Sequence, residues 1–329
     1  MIADVVVSEP EVSEATAREN DMPTPVSSDA VRDLLRRELT DAVRRLDEEI
    51  PKDERTPDFM TLVGQLAGDP EGRIRRPPAA AQRAMSACHN ENVSAQALVA
   101  LLEEDPMLTQ AVLARANSAY YNRSGRPCLV LSEAITRQGR RSVHNVLLQQ
   151  TLGSLVYSPG GAWHEMVNKV WSHMVRSGPI ARSLAPLFDV DPEQAFALAL
   201  LHDVGKLAVF DRVATLRTAL RHELHMPKPS LTRALRTLHE PLGGLCALGW
   251  GLGDEAALAI ATHHREPVPA VHNAASEVIW LAERVDLAVQ RGERLDLTAL
   301  WRTGALSANL DVARGVIAGL MPRPEEELV

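Results

Sequence analysis

The stretch LALLHDVGKLAVF, from Leu198 to Phe210, constrains the fold more than any other part of the chain. Around it Ala195, Phe196, Leu198, Leu200, Leu201, Val204 and Leu207 make a helix over 192–208 apolar on almost every side. A helix of that kind lies inside a bundle, packed all round. Yet His202, Asp203 and Lys206 stand in its middle. Steps of three and four put Phe196, Leu200, Asp203 and Leu207 on one face, so Asp203 occupies a place expected of leucine. His202 falls roughly 100° away, on the side of Leu198 and Lys206. A buried carboxylate has to be paired, hydrogen-bonded or metal-bound. Lys206 can pair with Asp203 one turn on, but that leaves His202 unexplained.

The rest of the chain supplies the helices for such a bundle. Apolar Val31, Leu34, Leu35, Leu39, Val43 and Leu46 recur at helical spacing behind Asp29, which predicts a helix to about Ile50. A short helix near 58–67 follows the break PKDERTPD. This arm suits either a docking or dimerisation role or a cap on the main domain. Ser94, Asp105–Pro106, Ser132, Ser142, Asp191–Pro192, Ser230, Gly253–Asp254, Asn273 and Asp296 mark further starts. A long helix is expected over 163–185, and Gly139 ends the helix that Ser132 starts. No alternating strand pattern competes, and no fixed repeat is visible. The fold class is therefore all-α, a compact many-helix domain. The expected divisions are an acidic disordered tail over 1–27, a helical arm over 28–72, a main domain over 73–290 and a helical extension over 291–329.

The totals narrow the function. A net charge of −8 speaks against a general nucleic-acid binder. The basic group Arg137, Arg140 and Arg141 reads as a solvated helix end. Cys88, Cys128 and Cys246 have neither disulfide nor metal spacing, which fits a reducing cytoplasm. The N-terminus MIADVVVSEPEVSE is not a secretory signal. No stretch approaches the roughly 20 apolar residues of a membrane helix.

Further histidines and carboxylates offer His202 and Asp203 their company. His173 lies inside the long helix, in VWSHMVRSG. His239 follows LRTL, His263 and His264 close EAALAIATHH, and Glu283 and Asp286 share the next helix. Imidazole and carboxylate together suit a divalent ion such as Mn, Fe, Co or Zn. Such an ion offsets the cost of burying Asp203 and lowers the pKa of a bound water. Lys206 would then be placed to neutralise a phosphate oxygen. His89, His144, His164, His222, His225 and His272 read as hydrogen-bonded structural residues, and Asn117 and Ser118 as a helix end.

These residues resemble a family. HDVGK resembles the core of the HD superfamily of metal-dependent phosphohydrolases, and residues 75 to about 290 resemble the HDOD domain of bacterial signalling proteins. The upstream segments RRPPAAAQRAM, LVALLEEDPMLTQAVLARANSAYY and LSEAITRQGRRSVHNVLL are similar to that family's opening. Gln138 departs from its usual leucine. The resemblance implies an all-helical fold and a regulatory role, acting through a signalling protein partner or a small ligand. Many members of the family lack the ligands and serve as interaction modules. The resemblance makes His173 the first ligand and His202–Asp203 the central pair. It aligns His239, His263 and His264 with the extra histidines of the related HD-GYP phosphodiesterases, which hydrolyse cyclic dinucleotides. Glu283 stands where an aspartate is usual, and Asp286 lies nearer the apolar stripe, so either could serve. The Gly-Tyr-Pro segment is absent, with HHREPVPAVHN in its place. The expected function is thus a signalling module with a retained divalent-metal cluster. The alternative is a metal-dependent phosphohydrolase acting on a nucleotide or cyclic dinucleotide.

Overall fold

The computed structural model describes residues 28–70, 78–156, 163–265, 273–302 and 306–321. The expected tail over 1–27, His272 and most of the segment replacing Gly-Tyr-Pro lie outside the described residues. Among the described residues the chain is all-α, with no strand. The arm comprises α1 (Ser28–Glu49) and α2 (Pro57–Gly68). Next come α3 (Ala79–His89), α4 (Ala95–Glu103), α5 (Pro106–Ala116), α6 (Leu131–Gln138) and α7 (Arg140–Val156). The central group is α8 (His164–Leu184), α9 (Pro192–Leu201), α10 (Val204–Leu220), α11 (Lys228–Gly249), α12 (Asp254–Ala261) and α13 (Ala274–Arg291). Two short helices, α14 (Leu297–Arg302) and α15 (Leu310–Leu320), follow.

The expected caps hold at Ser94, Asp105, Asp191 and Asn273, whose side chains accept main-chain N–H groups of the first turn. Asp296 does the same for Ala299. Ser132, Ser142 and Ser230 instead lie inside α6, α7 and α11. Gly139 explains the shift at α7: at φ 77 it turns the chain within one residue, so α7 starts at Arg140. Ser230 is fully buried and donates its hydroxyl to Glu54.

Asn117 ends α5 as expected, in right-handed geometry although asparagine readily takes the left-handed one at a helix end. Its amide accounts for this by acting as a piece of backbone. Nδ2 donates to the carbonyls of Leu113 and Cys128, and Oδ1 accepts from Cys128 N at 2.7 Å. Gln138 replaces an apolar contact with a bond from Nε2 to Val112 O at 3.1 Å. Arg137, Arg140 and Arg141 are spent on Glu133, on main-chain carbonyls and on Asp191.

The apolar face of α1 is not left to solvent. Val31, Leu35, Leu39, Ala42 and Leu46 are buried in the main core, with α1 against α11 and α12. A second core joins the end of α8, α9 and α13 to the C-terminal helices. Around the centre, α8 packs on α9 and α13, α10 on α11, and α11 on α12. A Cβ on Gly178 would meet the Phe196 ring at 2.8 Å, so glycine sets the approach of α8 to α9.

The helix expected over 192–208 is broken. Leu201 ends α9, and Asp203, at φ −98 and ψ 11, leaves helical geometry before α10 starts. The cause is tertiary. A Cβ on Gly205 would lie 2.0 Å from the His239 carbonyl oxygen and 2.7 Å from Gly243 N. So α10 starts in backbone contact with α11, and the chain bends at His202–Asp203 to make that contact. A wheel drawn through the whole run therefore misplaces these two side chains.

Candidate metal centre

The bend delivers His202 and Asp203 to the point where α8, α11, the end of α12 and α13 meet. His202, Asp203, His239 and His263 are each at most 1% exposed. His202 Nε2 lies 3.5 Å from Asp203 Oδ2, while His239 Nε2 and His263 Nε2 lie 3.6 and 3.8 Å from Asp203 Oδ1. His173 enters from α8, with its Nε2 3.1 Å from that of His202. His264 Nδ1 lies 3.1 Å from Glu283 Oε2.

The outward nitrogens are fixed by the main chain. Nδ1 of His202, His239 and His263 meets the carbonyl three residues back, on Ala199, Arg236 and Ile260, at 2.6, 2.9 and 2.6 Å. A carbonyl only accepts, so each Nδ1 carries the proton and each Nε2 presents a lone pair to the centre. Burial pushes all three imidazoles toward the neutral form, His239 down to about 3. The carboxylates behave oppositely. Burial works to raise Asp203, but the ammonium of Lys206 holds it well below its ordinary range. Glu283 is likewise lowered against its burial by His264, whose own pKa is raised against burial by Glu283.

The arrangement is an excess of inward acceptors. Asp203 Oδ1, His239 Nε2 and His263 Nε2 are buried without a hydrogen-bond partner. His173 is held in the same orientation, because its Nδ1 donates to Asp286 Oδ2 at 2.7 Å and its Nε2 is turned to the centre. The Nε2 atoms of His173 and His202 thus face each other across 3.1 Å, so the lone pair of His202 meets either a proton or a cation there. Buried acceptors so placed call for a positive charge between them. The donors fall into two groups whose atoms lie within 4.8 Å of one another. One is Asp203, His239, His263 and His264; the other is His173, His202 and Glu283. Mixed nitrogen and oxygen donors of this kind fit a borderline divalent ion.

One expected site residue, Asp286, stands outside both donor groups. Asp286 is 1% exposed and sits behind His173, with Arg176 Nε and Nη2 donating to its Oδ1 and Oδ2 at 2.8 and 3.1 Å. Glu283 is the α13 carboxylate that faces the histidines, its extra methylene bringing it to His264. Lys206 is paired with Asp203 Oδ2 at 2.7 Å and one-fifth exposed. Arg176 was not anticipated, although it follows His173 by three positions and so shares its face of α8. Of the other histidines, His89 packs edge-on to His144, His164 reaches Asn168, and His222 and His225 engage Asp58.

The family model of the HDOD domain matches residues 74–266. An uncharacterized protein of Treponema pallidum (strain Nichols) is 25% identical over 219 residues, 64% of this chain and 42% of that protein. The chain thus spans less than half the length of this relative. A Shewanella amazonensis SB2B structure, provisionally named a metal-dependent phosphohydrolase, has a TM-score of 0.57 at 19% identity, covering 80% of this chain and 99% of its own. A Marinobacter aquaeolei VT8 structure, provisionally named a signal transduction protein, has 0.56 at 21% identity, covering 88% and 63%. At these identities the likeness is one of fold. Among the described residues no helix is long and apolar enough to cross a membrane.

Proposed function

Because the chain belongs to the HDOD domain family, we propose that it is a bacterial signalling module built around a divalent-metal centre and acting through a protein or small-ligand partner. The observation that carries the metal is the pair of facing Nε2 atoms on His173 and His202, beside three buried acceptors without donors. His173, His202 and Glu283 would hold one ion, and Asp203, His239, His263 and His264 a second. The ions would hold five helical segments to one point, which suits a module whose surface is read by another protein. Mn²⁺ added to chelator-stripped protein should raise its melting temperature, since a ligand that binds only the folded state stabilises it. A His202→Ala, Asp203→Ala variant should show no such rise. An unchanged melting temperature in the parent chain would contradict the reading.

A second reading, phosphoester hydrolysis, draws on the partial exposure of the site's edge. The side chains of His264, Arg176, Lys206 and His173 are 37, 39, 20 and 14% exposed there, a basic rim that an anionic nucleotide or cyclic dinucleotide could approach. A bound divalent ion would supply a water of lowered pKa as nucleophile. Lys206 would offer its charge to a phosphate oxygen, exchanging its contact with Asp203. Turnover of bis(p-nitrophenyl) phosphate or a cyclic dinucleotide, lost in His202→Ala, Asp203→Ala, supports this reading. Equal rates in the parent and that variant would remove it.

A further inference from the structure

Among the imidazoles of the centre, His173 alone is backed by a carboxylate that belongs to neither donor group. His202, His239 and His263 lean on main-chain carbonyls, and His264 on Glu283. We propose that Asp286, clamped by Arg176, is a positioning residue that fixes the proton of His173 on Nδ1 and so sets the cation affinity of the His173, His202 and Glu283 group separately from that of the Asp203 group.

The geometry gives Asp286 no other task. Both of its oxygens are used, Oδ1 by Arg176 and Oδ2 by Arg176 and His173, so the carboxylate is not free to turn toward the centre as a donor itself. At 1% exposure it is a buried charge, and a buried charge persists only when compensated. A carboxylate behind an imidazole orients the ring and makes it a stronger donor than a carbonyl does. Asp286 and Arg176 contact no residue of the Asp203 group through these bonds, so their effect stays on one side of the centre.

This inference rests on the metal reading above, and the experiment separates the two. Imidazole ¹⁵N spectra of the chelator-treated full chain should show His173 protonated on Nδ1. In Asp286→Asn it should become a mixture of tautomers, with His202, His239 and His263 unchanged. Mn²⁺ titration against a competing chelator should show two classes of site in the parent chain. In Asp286→Asn one class should weaken about 10- to 100-fold while the other holds. Arg176→Gln, a change at a partly exposed side chain, should move the same class in the same direction by less. A folded Asp286→Asn with His173 still on Nδ1, or with both classes weakened equally, overturns the role given to Asp286. If the parent takes up no Mn²⁺, the metal reading falls, and with it the part of this inference that concerns affinity.

Discussion

Gly205 and His239 meet backbone to backbone: a Cβ on the glycine would stand 2.0 Å from the histidine's carbonyl oxygen. The obstacle is main chain on both sides, since Gly243 N lies 2.7 Å from the same point. No rotamer change relieves it. Gly205→Ala should therefore push α10 off α11, at a cost of about 1–3 kcal/mol or more. It should also draw His239 away from Asp203. Denaturant unfolding reads the first effect and Mn²⁺ uptake the second; a variant with parental stability would show that the contact does not shape the site.

The acid response of the metal-free chain follows from its neutral histidines. His239 is depressed to about 3 and His144, also through burial, to about 4, both from an ordinary 6.5. Below pH 6.5 the unfolded chain takes up protons that the folded chain refuses, so stability falls as pH falls. Each such group contributes up to ~1.4 kcal/mol per pH unit in that window. Asp203, Glu283 and Asp286 have lowered pKa values and are ionised in both states there. Their stabilising share is present above the unfolded carboxylate pKa and is lost only at lower pH. Unfolding in chelator at pH 7, 6 and 5 should show falling stability, and a flat profile would contradict the neutral assignment.

Away from the centre, Glu193 on α9 ties together α7, α8 and the turn after α5. Its carboxylate accepts from Arg182 at 2.7 Å, Asn145 at 2.9 Å and Tyr121 at 3.2 Å, and its carbonyl accepts from Asn145. Arg182, 11% exposed, also lies 4.1 Å from the Phe196 ring centroid. Glu193→Ala strands that guanidinium, which typically costs about 3 kcal/mol. Chemical denaturation should record the loss while Mn²⁺ uptake per folded chain is unchanged. A parallel loss of uptake in folded protein would tie this junction to the centre.

What was legible in the sequence, and what was not, divides along physical lines. Caps at Asp105, Asp191 and Asn273 are local chemistry, and local chemistry is written in adjacent residues. The order of His173, His202–Asp203, His239, His263–His264 and Glu283 made one pocket a reasonable expectation, and the structure brings all of these side chains together. The break at Asp203 was hidden because an evenly apolar run has no marked face from which a kink could be read. Its cause, the contact of Gly205 with His239, joins residues 34 positions apart. The choice between Glu283 and Asp286 was hidden for a similar reason. Both point inward from α13, and only the position of Arg176 on α8 shows which one is already spoken for. Asn117 imitates a strand of backbone across the turn to Cys128, a use its position at a helix end does not announce.

The central claim is that the buried acceptors around His202 and Asp203 are held together by divalent cations. Elemental analysis of the full chain, purified without chelator, tests it most directly. Mn, Fe, Co or Zn is expected at close to two ions per chain, matching the two donor groups. His202→Ala, Asp203→Ala should carry none. Folded parent protein free of these metals, and taking up none on dialysis against them, would contradict it.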